Sequence, residues 1–144
     1  MQSNDSPCEN LTFEIPHRFA KVSYNAERIP GVKDQDDLIQ GANCQVYAYE
    51  FLRHFGKNAP QLRSSELWSD SKYTKETKPF RFLDLMLYNK TPKAYGAHVG
   101  VYIDAGCVLH LSYEIGHPVI QTHKGLMLNE KYKCFIGAKR VLSF

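Results

Sequence analysis

An α+β fold, with one helix packed on a run of antiparallel strands, is what this sequence predicts. Between Asn43 and Phe55, the residues Cys44, Ala48, Phe51, Leu52 and Phe55 recur at helical spacing and form one apolar stripe. Between His98 and Ser112, alternating residues on either side of Asp104-Ala105-Gly106 predict a β-hairpin. Further strand-like runs, Phe80 to Tyr88, Val119 to Thr122 and Phe135 to Leu142, leave the helix on the N-terminal side of nearly all the strands. That segregation is the pattern of helices gathered to one side of an antiparallel sheet.

Each element has its own local reason. Asn43 is a good N-cap residue for the helix and Gly56 a natural stop. Tyr47 and Tyr49 on that helix read as packing residues. In the hairpin, a three-residue loop at Asp104-Ala105-Gly106 puts Gly106 in the left-handed position of a type I turn plus bulge. The strands then pair Ile103 with Cys107, Val101 with Leu109 and Val99 with Leu111, which sorts the apolar residues onto one face. His98, Gly100, Tyr102, Val108, His110 and Ser112 fall on the other. His110 then lies across from Gly100 and diagonal to His98, within side-chain reach. A slip of one residue would separate the two histidines.

The remainder is taken in order. Residues 1 to about 11 form a loose lead. Phe13 to Tyr24 has extended character, broken by Pro16, and reads as an edge strand or an arm packed on the domain. Asn25 to Gly41 is a loop with the acidic run Asp34, Asp36, Asp37, and a short helical turn at Gln35 to Gln40. The polar stretch 57–79 carries helix-start or turn signals at Ser64-Ser65-Glu66 and Asp70-Ser71-Lys72, with Leu67 and Trp68 as anchors. Asn89 to Gly96 is a loop, and a connecting piece covers Lys124 to Tyr132. The expected organisation is a lead and arm over 1–40 packed on a core over 41–144, a single domain overall.

Composition narrows the function. Of the 144 residues, 43% are hydrophobic and 23% charged, a globular balance. The net charge of +3 is spread along the chain, so nucleic acid is not an expected partner. No run reaches the length of a membrane span. Met1 to Thr12 lacks the basic start and apolar core of a secretory signal, so the chain as it stands reads as cytoplasmic unless a leader was removed or another export route exists. Accordingly Cys8, Cys44, Cys107 and Cys134 are expected to be free thiols, with Cys107 and Cys134 as small buried hydrophobes.

One constellation carries chemistry. Cys44 opens a buried helix, where unpaired N–H groups and roughly half a unit of positive charge stabilise an anion. A thiol there, beside an imidazole, is expected to have a pKa lowered to ~3.5–7.5. The same N–H groups suit the oxyanion of a tetrahedral intermediate. His98 would be the base and His110 the group that orients it. Alone, each residue has an ordinary explanation, a buried helix cysteine or a strand histidine; the set of three favours a catalytic one. A metal site built from His98, His110, His117 and His123 matches no short zinc motif, and no cofactor is expected.

The ordered set Asn43-Cys44-Gln45, Phe82-Leu-Asp-Leu-Met-Leu-Tyr88, His98-Val-Gly-Val-Tyr102, Val108-Leu-His110-Leu-Ser112 and Phe135-Ile-Gly-Ala-Lys-Arg-Val141 resembles the NlpC-type cysteine peptidases. These are papain-like hydrolases, most of which cut γ-D-glutamyl–diamino-acid bonds in bacterial cell-wall peptides. The likeness spans about residues 41 to 142. It implies a papain-like fold, Cys44 as nucleophile, His98 as base and His110 as third member. It also implies a groove touching Asn43, Gln45, Gly100 and Tyr102, and a small peptide substrate such as a peptidoglycan stem peptide. Asp84 would belong to the turn that usually reads Gly-Asp-Leu. Where the family commonly has Asp-Cys-Ser-Gly this chain has Asn43-Cys44-Gln45-Val46, and the stretch before Cys44 lacks the groove-lining Tyr and paired Gly. Those gaps support the alternative, a catalytically inactive module that binds a peptide or partner in the same groove.

Overall fold

Six strands form one antiparallel sheet: β1 (Thr74–Glu76), β2 (Leu85–Asn89), β3 (His98–Asp104), β4 (Cys107–Leu111), β5 (Pro118–Thr122) and β6 (Cys134–Val141), in the order β1-β6-β2-β3-β4-β5. The computed structural model describes residues 6–31 and 38–142. The α-helices are α1 (Ser6–Glu9), α2 (His17–Ala20), α3 (Cys44–His54), α4 (Ser64–Ser69) and α5 (His123–Met127), with 3-10 turns at Leu38–Gln40 and Glu130–Tyr132. This is the expected α+β architecture. Among the described residues no helix is long and apolar enough to cross a membrane.

The core lies between α3 and one face of the sheet. Val99, Val101, Ile103, Leu109 and Leu111 point into it, together with Val46, Phe51 and Leu52 of α3. Each such side chain contributes about 1.5–3 kcal/mol by leaving water. The expected stripe on α3 proves to be burial nearly all round, from Gln45 to Leu52. The arm explains it: Phe19 of α2 packs edge-on to Phe51 and Tyr47, and the Tyr47 hydroxyl donates to the Phe19 carbonyl at 2.8 Å. The Tyr49 hydroxyl donates to the Leu62 carbonyl at 2.7 Å on the other flank. Both tyrosines are packing residues, as expected.

The hairpin keeps the expected core pairing, Val101 with Leu109, by a different device. Its turn has two residues, Ala105 and Gly106, both at positive φ (52° and 80°), and Cys107 pairs with Asp104. A bulge at Ile103 absorbs the difference, so the slip that would separate the histidines does not occur.

Other expectations shift. The arm is not an edge strand; it holds α2 and then a single parallel bridge, Tyr24 to Ala42. The strand foreseen over Phe80 to Tyr88 begins only at Leu85, because a turn with Leu83 at φ +77° precedes it. In that turn Asp84, fully buried, accepts from the Arg81 backbone N–H and takes two 2.8 Å bonds from the Arg140 guanidinium of β6. Thr74–Glu76 adds a short edge strand. The helical turn foreseen at Gln35 to Gln40 is seen at Leu38–Gln40; the rest of it and the Asp34, Asp36, Asp37 run lie outside the described residues.

The cysteine expectation is corrected. Cys8 is joined to Cys107 by a disulfide across 99 positions, while Cys44 and Cys134 are free. Cys107 is fully buried on β4, and α1 lies against the sheet so that Cys8 reaches it. Neither partner's sequence neighbourhood signals the other.

Candidate active site

The N-terminus of α3 is built before its thiol is placed. Asn43 has extended backbone geometry, and its Oδ1 accepts from the Val46 N–H at 2.8 Å, a cap worth about 1 kcal/mol. The chain enters this cap alongside the arm: the Ala42 N–H donates to the Ser23 carbonyl and the Asn25 N–H to the Ala42 carbonyl. Gly41 makes this close approach possible. It sits at φ +88°, and a Cβ there would lie 2.7 Å from the Ser23 carbonyl oxygen.

Cys44 is the first helical residue, and its thiol faces the backbone N–H groups of Val99, Gln45 and Cys44 itself. Burial pushes the thiol pKa up, against the pull of these three donors. The lowered pKa expected from the helix N-terminus is therefore not found: loss of hydration outweighs the helix.

His98 and His110 are brought together as predicted. His98 Nε2 lies 2.8 Å from His110 Nδ1, and His110 Nε2 lies 2.7 Å from Gln121 Oε1. The direction of the chain follows from its end. Gln121 Oε1 only accepts, so His110 carries its proton on Nε2 and accepts at Nδ1. His98 then donates from Nε2, which leaves its Nδ1 as the basic lone pair. Burial, and secondarily the neighbouring His110, hold the His98 pKa well below the ordinary histidine value. At neutral pH the resting site thus holds a neutral thiol and a neutral imidazole.

Three aromatic residues surround this group. Tyr132, on the 3-10 turn before β6, lies flat on His98, with centroids 4.5 Å apart and planes 22° apart. Its phenol is hydrogen-bonded by the Ser112 hydroxyl, and its pKa is raised to about 12 by burial and by the nearby Cys44 and Glu114. Tyr24 is held beside Cys44 by the arm and meets Tyr113 edge-on at 5.6 Å.

The other four residues expected at the groove have mainly structural surroundings. Asn43 is the helix cap. The Gln45 amide donates to Ser64 Oγ at 3.1 Å and to the Leu62 carbonyl at 3.4 Å, so only its backbone N–H faces the site. Gly100 is not open to an approaching ligand: a Cβ there would lie 2.6 Å from Val108 Cγ1 and 3.3 Å from His110 Cβ. The glycine lets the histidine strands pack. Tyr102 stands four residues along β3 from His98, about 13 Å at the strand rise. Its hydroxyl accepts there from the Gly106 N–H at 2.9 Å.

Sequence reasoning missed Gln121, Tyr24 and Tyr132. Gln121 had a usable signal: in β5 it falls on the histidine face, diagonal to His110 across the His110–Val119 pair. Tyr24 and Tyr132 sit in segments without periodicity, so nothing local marked them. His123 lies elsewhere on the same face, its Nδ1 2.7 Å from the Tyr88 hydroxyl. Among the described residues no group of three or more His, Cys, Asp or Glu side chains is arranged to hold a metal ion.

The fold has clear relatives among solved structures. An NlpC/P60 family protein from Bacillus cereus ATCC 10987 superposes with a TM-score of 0.62 at 18% identity, over 86% of this chain and 37% of that one. The P60 domain of the M. avium subspecies paratuberculosis antigen MAP1204 superposes with a TM-score of 0.53 at 16% identity, over 89% of this chain and 90% of that domain. The fold is of the NlpC/P60 type, the one anticipated from the motifs. This chain spans little more than a third of the first relative. No protein-family model matches the sequence, and no curated protein matches it.

Proposed function

We propose that the protein is a cysteine hydrolase that cleaves an amide bond in small peptides, with bacterial cell-wall stem peptides as the substrate class. The observation that carries this is the hydrogen-bonded relay from Gln121 through His110 to His98, with the Cys44 thiol at the start of α3 held by the backbone N–H of Val99, the residue next to His98. The NlpC/P60-type fold supports the substrate class.

In this mechanism the Cys44 sulfur attacks the amide carbon while His98 Nδ1 takes the thiol proton. The oxyanion forms against N–H groups at the start of α3. The His98 cation is stabilised through its Nε2–H bond to neutral His110. The C–N bond then breaks, and the leaving amine takes the proton from His98. A water molecule gives up a proton to His98 and attacks the thioester, and the sulfur leaves with that proton restored. Because the resting thiol is protonated, His98 acts during attack as a general base. The Cys8–Cys107 disulfide supports a site of action in an oxidising compartment, in place of the cytoplasm.

The test is incubation with defined stem peptides, with products read by mass spectrometry. The expected result is two fragments per turnover for the wild type and none for Cys44→Ala. Activity retained in Cys44→Ala would overturn the proposal. Saturable binding without turnover in the wild type would make the protein a binding module.

A further inference from the structure

A base that must accept a proton from a thiol needs a fixed ring plane. One edge of the His98 ring is fixed by His110. A single hydrogen bond still leaves the ring free to tilt about it. The contact that removes this freedom is the flat stack of Tyr132. We propose that Tyr132 is a positioning residue of the hydrolase: its ring, lying on His98, holds the imidazole in the orientation that aims Nε2–H at His110 and keeps water from that face.

The placement of Tyr132 is over-determined. Its N–H donates to the Asn129 carbonyl at 2.9 Å, and Asn129 Oδ1 caps the same turn by accepting from the Lys131 N–H at 2.9 Å. The Ser112 hydroxyl, just past the end of β4, holds the phenol. Ser112 is itself buried, and its Oγ also accepts from the Ile115 N–H at 3.1 Å. Ring and phenol are thus tied to two different parts of the chain.

The groups that face His98 are few. They are His110 from β4 and the cross-strand Tyr88 of β2, whose phenol is engaged by His123; the Cys44 thiol meets the backbone N–H of Val99, the next residue along β3. Tyr132 covers the ring, and beyond it Glu114 and Lys131 are paired with each other at 3.3 Å. Two effects of the stack oppose one another. An aromatic face favours a cation, whereas exclusion of water disfavours it. Burial is the leading influence on His98, and the Tyr132 ring supplies the cover over one of its faces, so water exclusion is the effect expected to dominate. Removing the ring therefore raises the pH at which His98 takes up its proton.

This inference rests on the hydrolase proposal, but its test does not need turnover. The His98 imidazole is followed by NMR through a pH titration in the wild type, Tyr132→Phe and Tyr132→Leu, without substrate. The expected result is a midpoint raised toward the ordinary ~6.5 in Tyr132→Leu, and a wild-type midpoint in Tyr132→Phe. Tyr132→Met repeats the comparison should the leucine variant not fold. A midpoint unchanged or lowered on loss of the ring overturns the proposal, as does an equal shift in the phenylalanine variant. With substrate, kcat should fall at least tenfold in Tyr132→Leu while KM stays within threefold. An inactive wild type with the expected NMR pattern would sink the hydrolase reading and leave the ring's effect on His98 standing.

Discussion

His98 Nε2 and His110 Nδ1 lie 2.8 Å apart, and that bond has room for one proton. With Gln121 accepting from the far side of His110, the pair is neutral at rest and can take up only one further proton, on the His98 Nδ1 that points away from the relay. Function and pH response both follow from this limit.

Replacing Gln121 with Leu removes the acceptor that fixes the His110 tautomer. The expected outcome is a fall in kcat of about tenfold with KM little changed, the equivalent of one lost hydrogen bond of ~1–1.5 kcal/mol. Steady-state kinetics on a cleaved peptide check it, and an unchanged kcat would show that His110 needs no partner.

Cys44 and His98 act as a unit, so Cys44→Ala and His98→Ala should each lower turnover by at least about a thousandfold, and the double variant hardly further. Circular dichroism should show the fold retained in both. Since burial raises the thiol pKa, alkylation of wild-type Cys44 should keep accelerating above pH 8.5. A rate already level at neutral pH would instead reveal a preformed ion pair.

Stability should fall on acidification. The His98 pKa is depressed in the folded state, so below about pH 6.5 the unfolded chain binds a proton that the folded chain refuses. Unfolding free energy is then level above that value and drops as pH falls beneath it. His123, also depressed by burial, adds in the same direction. Urea titrations at pH 7.5 and 5.5 measure the drop, which should be smaller in His98→Gln.

Arg140→Met leaves the Asp84 carboxylate buried without its cation. The expected loss is about 3–5 kcal/mol, far more than for a surface ion pair. Chemical denaturation decides this. A loss under 1 kcal/mol would mean that the turn before β2 does not depend on the pair.

Reduction of the Cys8–Cys107 bond, or Cys8→Ser, should cost about 2–5 kcal/mol, since the bridge closes most of the chain into one loop. Melting with and without reductant reads it directly.

What was legible in the sequence was what period and punctuation record. Helix α3 announced itself by spacing, cap and stop, and the histidine pairing followed from sorting Val99, Val101, Leu109 and Leu111 onto one face. The hairpin shows the limit: the face pattern demanded the right pairing, but a three-residue loop and a two-residue loop with a bulge satisfy it equally. Gln121 was readable only once β5 had been placed beside β4. The disulfide, Tyr24 and Tyr132 depend on contacts between distant segments that carry no repeat, so no local rule reaches them. The thiol pKa went the other way because burial depth, which sequence gives poorly, outweighed the helix terminus, which it gives well.

The bond between Cys8 and Cys107 divides the molecule by connectivity as well as by shape. Tyr24, Cys44 and His98 belong to a closed ring of chain, while His110, Gln121 and Tyr132 hang from it on an open tail. A protease that nicks the exposed 90–93 loop leaves one covalent molecule, its sheet able to re-zip around the cut. A nick in the exposed 113–115 segment sets the last two strands, and two of the groups that steady the histidine, free to diffuse away.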